Sequence, residues 1–145
     1  VHNEPEFVDV YRKELFHTPN IKCVGWLDKF SEEFQTILQK SIAHVFPSCS
    51  EAGAAAVVET MAAGVIPVVS YEASIDIENF GFLLADPSIE TIMRQAREIA
   101  EMPVDELRRR AKKAWEAAHT NHTPERFERS YRATVEMILA KHGRR

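Results

Sequence analysis

Three short apolar runs constrain this chain more than any other feature: IAHVFPS at 42–48, VIPVVS at 65–70 and FLLAD at 82–86. Each is too short for a buried helix. Each is also continuous instead of alternating, the pattern of a strand covered on both faces. An earlier run, IKCVGWL at 21–27 after Asn20, reads as a further strand that leads into a loop. Helical patterns lie between and around these runs. Residues 5–16 place Phe7, Val8, Tyr11, Leu15 and Phe16 at helical spacing, with Pro5 suited to the first turn. Ser31 opens SEEFQTILQKS, with Phe34, Ile37 and Leu38 on one face and two Glu in the first turn. The stretch SCSEAGAAAVVETMAAG, 48–64, predicts a loop that becomes a helix closed by Gly64. After Asp86-Pro87-Ser88 the pattern is helical throughout, over 89–102, 104–120 (past a break at Pro103) and 126–143, the last opened by Thr123-Pro124. Short apolar strands alternating with helices predict an α/β fold, a parallel sheet with helices on both faces. We expect a single domain over 1–145, with strands from about 20 to 86 and a helical tail over 88–143.

Composition narrows the function classes. The 145 residues are 45% hydrophobic and 28% charged, enough to bury a core and too apolar for wholesale disorder. The formal net charge of -4 lacks the basic footprint of a nucleic-acid binder, and no nucleic-acid partner is expected. Arg108-Arg109-Arg110 and the terminal Gly143-Arg144-Arg145 read as solvated helix face and tail. Cys23 and Cys49 both sit in apolar runs and are expected as small buried residues of a reducing, cytoplasmic compartment. No run approaches the ~18 apolar residues of a membrane span, and VHNEPEFVDV is not a signal peptide. A start without Met is expected of a fragment.

In open parallel sheets, ligands sit at the carboxyl ends of the strands. Three loops lie there: 26–31, 48–54 and 70–80. The middle one carries the strongest signal. The strand at 42–46 runs through Pro47-Ser48 to Glu51, then a turn of small residues, Ala52-Gly53-Ala54, then a helix carrying Glu59. Backbone N–H groups in so bare a turn can approach a diphosphate closely, at a helix end that favours anions. Ionised carboxylates only accept hydrogen bonds, so they suit the vicinal hydroxyls of a sugar or a ribose. Spacing alone is weak, because two Glu eight positions apart arise readily by chance in an acidic chain.

The wider stretch HVFPSCSEAGAAAVVETMAAGVIPVVS closely resembles part of the group 1, or family 4, glycosyltransferases. The matching elements, in order, are Pro47-Ser48, Glu51, the turn 52–54, Glu59, Met61-Ala62-Ala63-Gly64 and Pro67-Val68-Val69; IKCVGWL and GFLLAD resemble the flanking strands. The resemblance spans about 20–87. It implies a Rossmann-like domain, the C-terminal, donor-binding half of a GT-B enzyme that usually retains anomeric configuration and generally needs no metal or other cofactor. By the family pattern Glu51 would meet the donor sugar's hydroxyls. The amides of Gly53, Ala54 and Ala55 would face the diphosphate or the sugar, and Glu59 would hold the ribose. The partner so implied is a nucleotide-sugar donor.

The chain departs from that pattern in three places. The family's Gly-Phe-Gly turn is Ala52-Gly53-Ala54 here. The Gly-Gly turn common after the next strand is replaced by Tyr71-Glu72-Ala73-Ser74-Ile75-Asp76, to which no phosphate contact is assigned. Lastly, the family's first two donor-domain strands, with the Arg and Lys that neutralise the leaving diphosphate, have no counterpart in these residues, and neither does an acceptor-binding half. The chain alone is therefore expected to be inactive, with an N-terminal acceptor domain as missing partner and possible membrane association of the full enzyme. The strand at 21–25 would lack its neighbours. It is expected either to close up against 42–46 or to form a homodimer through an exposed sheet edge.

Other residues have blander roles open to them. His44 reads as a core or sheet-edge histidine, and His119 and His122 as surface loop. Trp115 and the stripe along 104–119 read as core packing. Asp76 and Glu78 are candidate sugar or ribose contacts, or solvated loop. Trp26 could stack on a base or cap the core. An alternative function is a non-catalytic α/β interaction or regulatory module derived from a glycosyltransferase half. A flavodoxin-like receiver is disfavoured, because no cluster of acids closes the first strand.

Overall fold

The structure is a computed structural model, and it describes residues 4–142. The ends, including the basic Gly143-Arg144-Arg145 and the last residue of the expected tail helix, lie outside the described residues. The chain gathers into two compact units that divide after Lys40.

The first unit holds three helices: α1 (Pro5–Val10), α2 (Arg12–Phe16) and α3 (Glu32–Lys40). The helix expected over 5–16 is split at Tyr11, where φ is -103° and ψ is 21°. As expected, Ser31 starts α3, its hydroxyl accepting the Phe34 N–H at 3.2 Å. The strand expected at 21–27 is corrected: these residues join no ladder. A strand is specified by the backbone it pairs with as much as by its own side chains. Both arrangements expected of 21–25, a closed-up sheet and edge pairing through this segment, lose the element they rest on. No described residue of α1, α2 or α3 is buried.

The second unit is α/β, Rossmann-like as expected. Its parallel sheet has the order β1 (Ala43–Phe46), β2 (Ile66–Val69), β3 (Phe82–Leu83). His44 lies beside Pro67 in one ladder and Val68 beside Phe82 in the other. β2 is buried along its whole length. β3 is shorter than FLLAD suggests: it starts at Phe82 as expected but stops at Leu83, because β2 ends at Val69 and the chain turns off at Tyr71–Ala73. The N–H groups of Ile66 and Ser70 point to β1, donating to Ile42 O and Phe46 O, while Val69 faces β3 and accepts from Leu84 N–H. By that alternation Pro67 faces β3 with no N–H to give, and the ladder begins with Val68 beside Phe82.

Helices cover both faces. On one, Val57 and Met61 of α4 (Ala55–Met61) and Ala114 and Ala118 of α6 (Val104–Asn121) pack with Val69, Ala73, Ile77 and Phe80. On the other, Ile99 of α5 (Ile89–Glu101) packs with Val68 and Leu84. Trp115, expected in the core, is 47% exposed and meets His119 in a tilted contact with 4.4 Å between centroids; the small Ala114 and Ala118 make the close approach instead. The final helix, α7 (Pro124–His142), has no buried residue among those described. Gly64, at φ +80°, closes α4, with its N–H on Met61 O and the Val65 N–H on Thr60 O. Gly81 has a different role: a Cβ there would stand 2.7 Å from Ile77 Cβ and 2.9 Å from Pro67 Cγ.

Candidate functional site

The carboxyl ends of β1 and β2 bring two loops together. The first, 47–54, leaves β1 over the surface. Ser48 organises it: its hydroxyl lies 3.2 Å from Glu51 Oε1 and 3.3 Å from Ser50 O, and the Ser50 N–H reaches back to Ser48 Oγ. Glu51 is exposed, with one carboxylate oxygen steadied by that hydroxyl and the other face open to water. Cys49, expected to be buried, is exposed, because the strand ends at Phe46 and the loop has already left the core. Gly53 takes φ +141°, a conformation that strains any L side chain.

The second loop, 70–81, is tied to the first at two points. The buried Ser70 donates its hydroxyl to Ser48 O. The Ala54 N–H donates to Ala73 O at 3.1 Å. The Ala55 N–H donates to Gly53 O at 2.9 Å. Two of the three amides expected to face a diphosphate thus serve the chain's own carbonyls in this conformation. Glu59 lies one turn along α4, on its exposed side. Glu51, Gly53 and Ala54 therefore share one loop, Ala55 opens α4, and Glu59 sits a helical turn further on.

A cavity of about 450 Å³ opens at this end of the sheet, lined by Ser70, Tyr71, Ser74, Asp76 and Glu78 among others. Asp76 Oδ1 accepts the Glu78 N–H at 3.1 Å, which holds Glu78 at φ +39°. A second, wider recess shares Asp76 and Glu78 and continues to His122, Arg126 and Phe127 at the corner between α6 and α7. Sequence reasoning singled out the two acids. It missed Arg126 and Phe127, for which no motif gave a signal. The third expected loop, 26–31, belongs to the first unit, where Trp26 is 93% exposed and Asp28 Oδ1 accepts the Phe30 N–H at 2.9 Å.

His44 projects toward α4. Its Nδ1 is 3.0 Å from Thr60 Oγ1, and that hydroxyl already donates its one hydrogen to Val57 O at 2.9 Å. The imidazole must be the donor, which fixes the proton on Nδ1. Burial lowers its pKa, so the ring stays neutral. This is a satisfied structural histidine.

The model of the family described as glycosyl transferases group 1 matches residues 4–117. The chain belongs to that family. The match runs through β1, the Glu51 loop, α4, β2 and β3 into α6, so the Rossmann-like unit is part of a glycosyl transferase domain. Neither the curated proteins nor the solved structures give a match. No helix among the described residues is long and apolar enough to cross a membrane.

Proposed function

We propose that this glycosyl transferase domain binds a nucleotide diphosphate sugar and serves a retaining transfer to an acceptor held elsewhere in the enzyme. The supporting observation is the loop 47–55: a steadied Glu51, the bare turn at Gly53 and the start of α4 lie together at the carboxyl end of β1. Glu51 accepts hydrogen bonds from the donor sugar's hydroxyls. The amide of Gly53 meets the diphosphate or sugar, and those of Ala54 and Ala55 join it once released from Gly53 O and Ala73 O. Glu59 accepts from the ribose hydroxyls. No general base is assigned, since the departing phosphate can itself take the acceptor's proton. The reaction needs no metal on this reading. The leaving group's charge also requires cations, which the loop 47–55 does not carry, so these residues alone transfer no sugar, and an N-terminal acceptor domain completes the site. A homodimer through an exposed sheet edge belongs to the same proposal. A sedimentation profile of monomer alone at high concentration would remove it.

Calorimetric titration with UDP, GDP, ADP and their sugars tests the donor site. Weak, saturable binding of one nucleotide that Glu59→Ala abolishes is the expected result. Binding unchanged in that variant refutes the ribose assignment. One observation favours a second reading, a non-catalytic module derived from the same fold: the Ala54 and Ala55 amides are already satisfied internally. That reading predicts no nucleotide binding even when the chain is extended upstream.

A further inference from the structure

The loop that walls the candidate site is gripped from behind by one side chain. Arg110 of α6 aims Nη1 at three successive carbonyls, Asn79 O at 3.3 Å, Phe80 O at 3.2 Å and Gly81 O at 3.4 Å. Its Nε donates to Glu106 Oε1 at 2.7 Å, and its guanidinium carbon lies 4.5 Å from the centre of the Phe82 ring. Lys113, one turn further, donates to Asn79 Oδ1 at 2.9 Å. The expectation of a solvated face for Arg108-Arg109-Arg110 is corrected at Arg110, whose side chain turns to the loop and is only 18% exposed, unlike the exposed Arg108. Three carbonyls in a row that turn toward one cation form a loop end that no ladder or helix satisfies. Nη1 has two N–H donors to share among the three carbonyls, while Nε of the same rigid, permanently charged plane is fixed by Glu106, an orientation that a flexible ammonium lacks.

The grip matters because of what the loop carries. Residues 76–78 lie just before the gripped carbonyls. There Asp76 and Glu78 line both recesses, and Glu78 keeps its left-handed backbone. Ile77 and Phe80 pack in the same cluster as Ala73, whose carbonyl holds the Ala54 amide in the Glu51 loop. An unbroken series of contacts therefore runs from Arg110, through the loop 73–81, to the turn proposed to meet the diphosphate. The face of the guanidinium is closed by Phe82, its Nε is held by Glu106, a carboxylate shared with Arg109, and its Nη1 by the loop carbonyls, so Arg110 is committed to the loop.

We propose that Arg110 is a positioning residue for donor binding: it acts through the loop 73–81 to set the Asp76–Glu78 wall and the Gly53–Ala55 turn. This rests on the donor-site reading above. The test uses the whole chain and the nucleotide diphosphate that the wild type binds best among UDP, GDP and ADP. Arg110→Ala is expected to weaken binding at least tenfold and to speed hydrogen exchange across 73–81, with β1 and β2 amides unchanged. Arg110→Lys, which keeps the charge without the fork, is expected to fall between. Ile99→Val, a core change on the opposite face of the sheet, controls for general loss of stability and is expected to bind as the wild type does. Arg110→Ala within twofold of wild type overturns the proposal, and so does equal weakening by Ile99→Val. Wild type that binds none of the three nucleotides overturns the donor reading and this role with it. Wild-type binding with an unaffected Arg110→Ala overturns this role alone.

Discussion

Residues 4–40 and residues 41–142 are built from similar material and reach opposite ends. Both have amphipathic helices and apolar runs. The second unit buries Val57, Met61, Ile66, Val68, Val69 and Phe80 to 1% exposure or less, whereas the first buries none of its described residues and leaves Phe7, Phe16, Ile21 and Trp26 about half exposed or more. The difference is the ladder. β2 has a neighbour on each side, and a sheet with both faces covered gives α4, α5 and α6 a surface to close on. IKCVGWL has the composition of a strand and joins no ladder among the described residues. Apolar content becomes a core only where hydrogen-bonded backbone organises it.

This contrast can be broken by substitution. Met61→Ala, at the centre of the larger cluster, is expected to cost about 3 kcal/mol in denaturant unfolding. A loss near zero would mean that the α4 face is not a packed core. Gly81→Ala is expected to cost about 2 kcal/mol, since its Cβ would stand 3.0 Å or less from Ile77 and Pro67. In the first unit Trp26→Ala should change unfolding by no more than ~0.5 kcal/mol. A larger loss would show that 4–40 has a packed core after all.

Titration sharpens the same contrast. The His44 pKa is lowered by burial, so the unfolded chain takes up a proton first as pH falls below the ordinary histidine value of 6.5. Stability should therefore decline through that range and level off below the folded pKa, and His44→Gln should flatten the slope. Glu106, hydrogen-bonded to Arg109 and Arg110, is pulled from 4.5 to about 2. Its contribution is present above pH 4.5 and is lost on acidification toward 2. The carboxylate is open to solvent, so its effect is the smallest of the set, read as a Glu106→Gln difference that vanishes at low pH.

Much of the second unit was legible because each of its elements carries its own signal. Apolar runs marked β1 and β2, Ser88 marked the start of α5, where its Oγ accepts the Thr91 N–H, and Gly64 marked the end of α4. What was not legible depends on partners distant in sequence. The missing ladder at 21–25, the early end of β3 where β2 stops at Val69 and the exchange of Trp115 for Ala114 and Ala118 at the close approach are all decided by neighbours. In the candidate site, the order Glu51, turn, Glu59 could be read directly. The ties from Ala54 to Ala73 and from Arg110 to the carbonyls of 79–81 could not, because a backbone acceptor leaves no trace in residue type.

The central claim is that the loop from β1 to α4 is a donor site. The most direct measurement is a map of amide chemical shifts in the isotopically labelled chain as UDP, GDP or ADP is added. The account predicts saturable changes confined to residues 48–59 and 70–81 with one of the three nucleotides. Shifts that cluster elsewhere, or none with any of them, would contradict it.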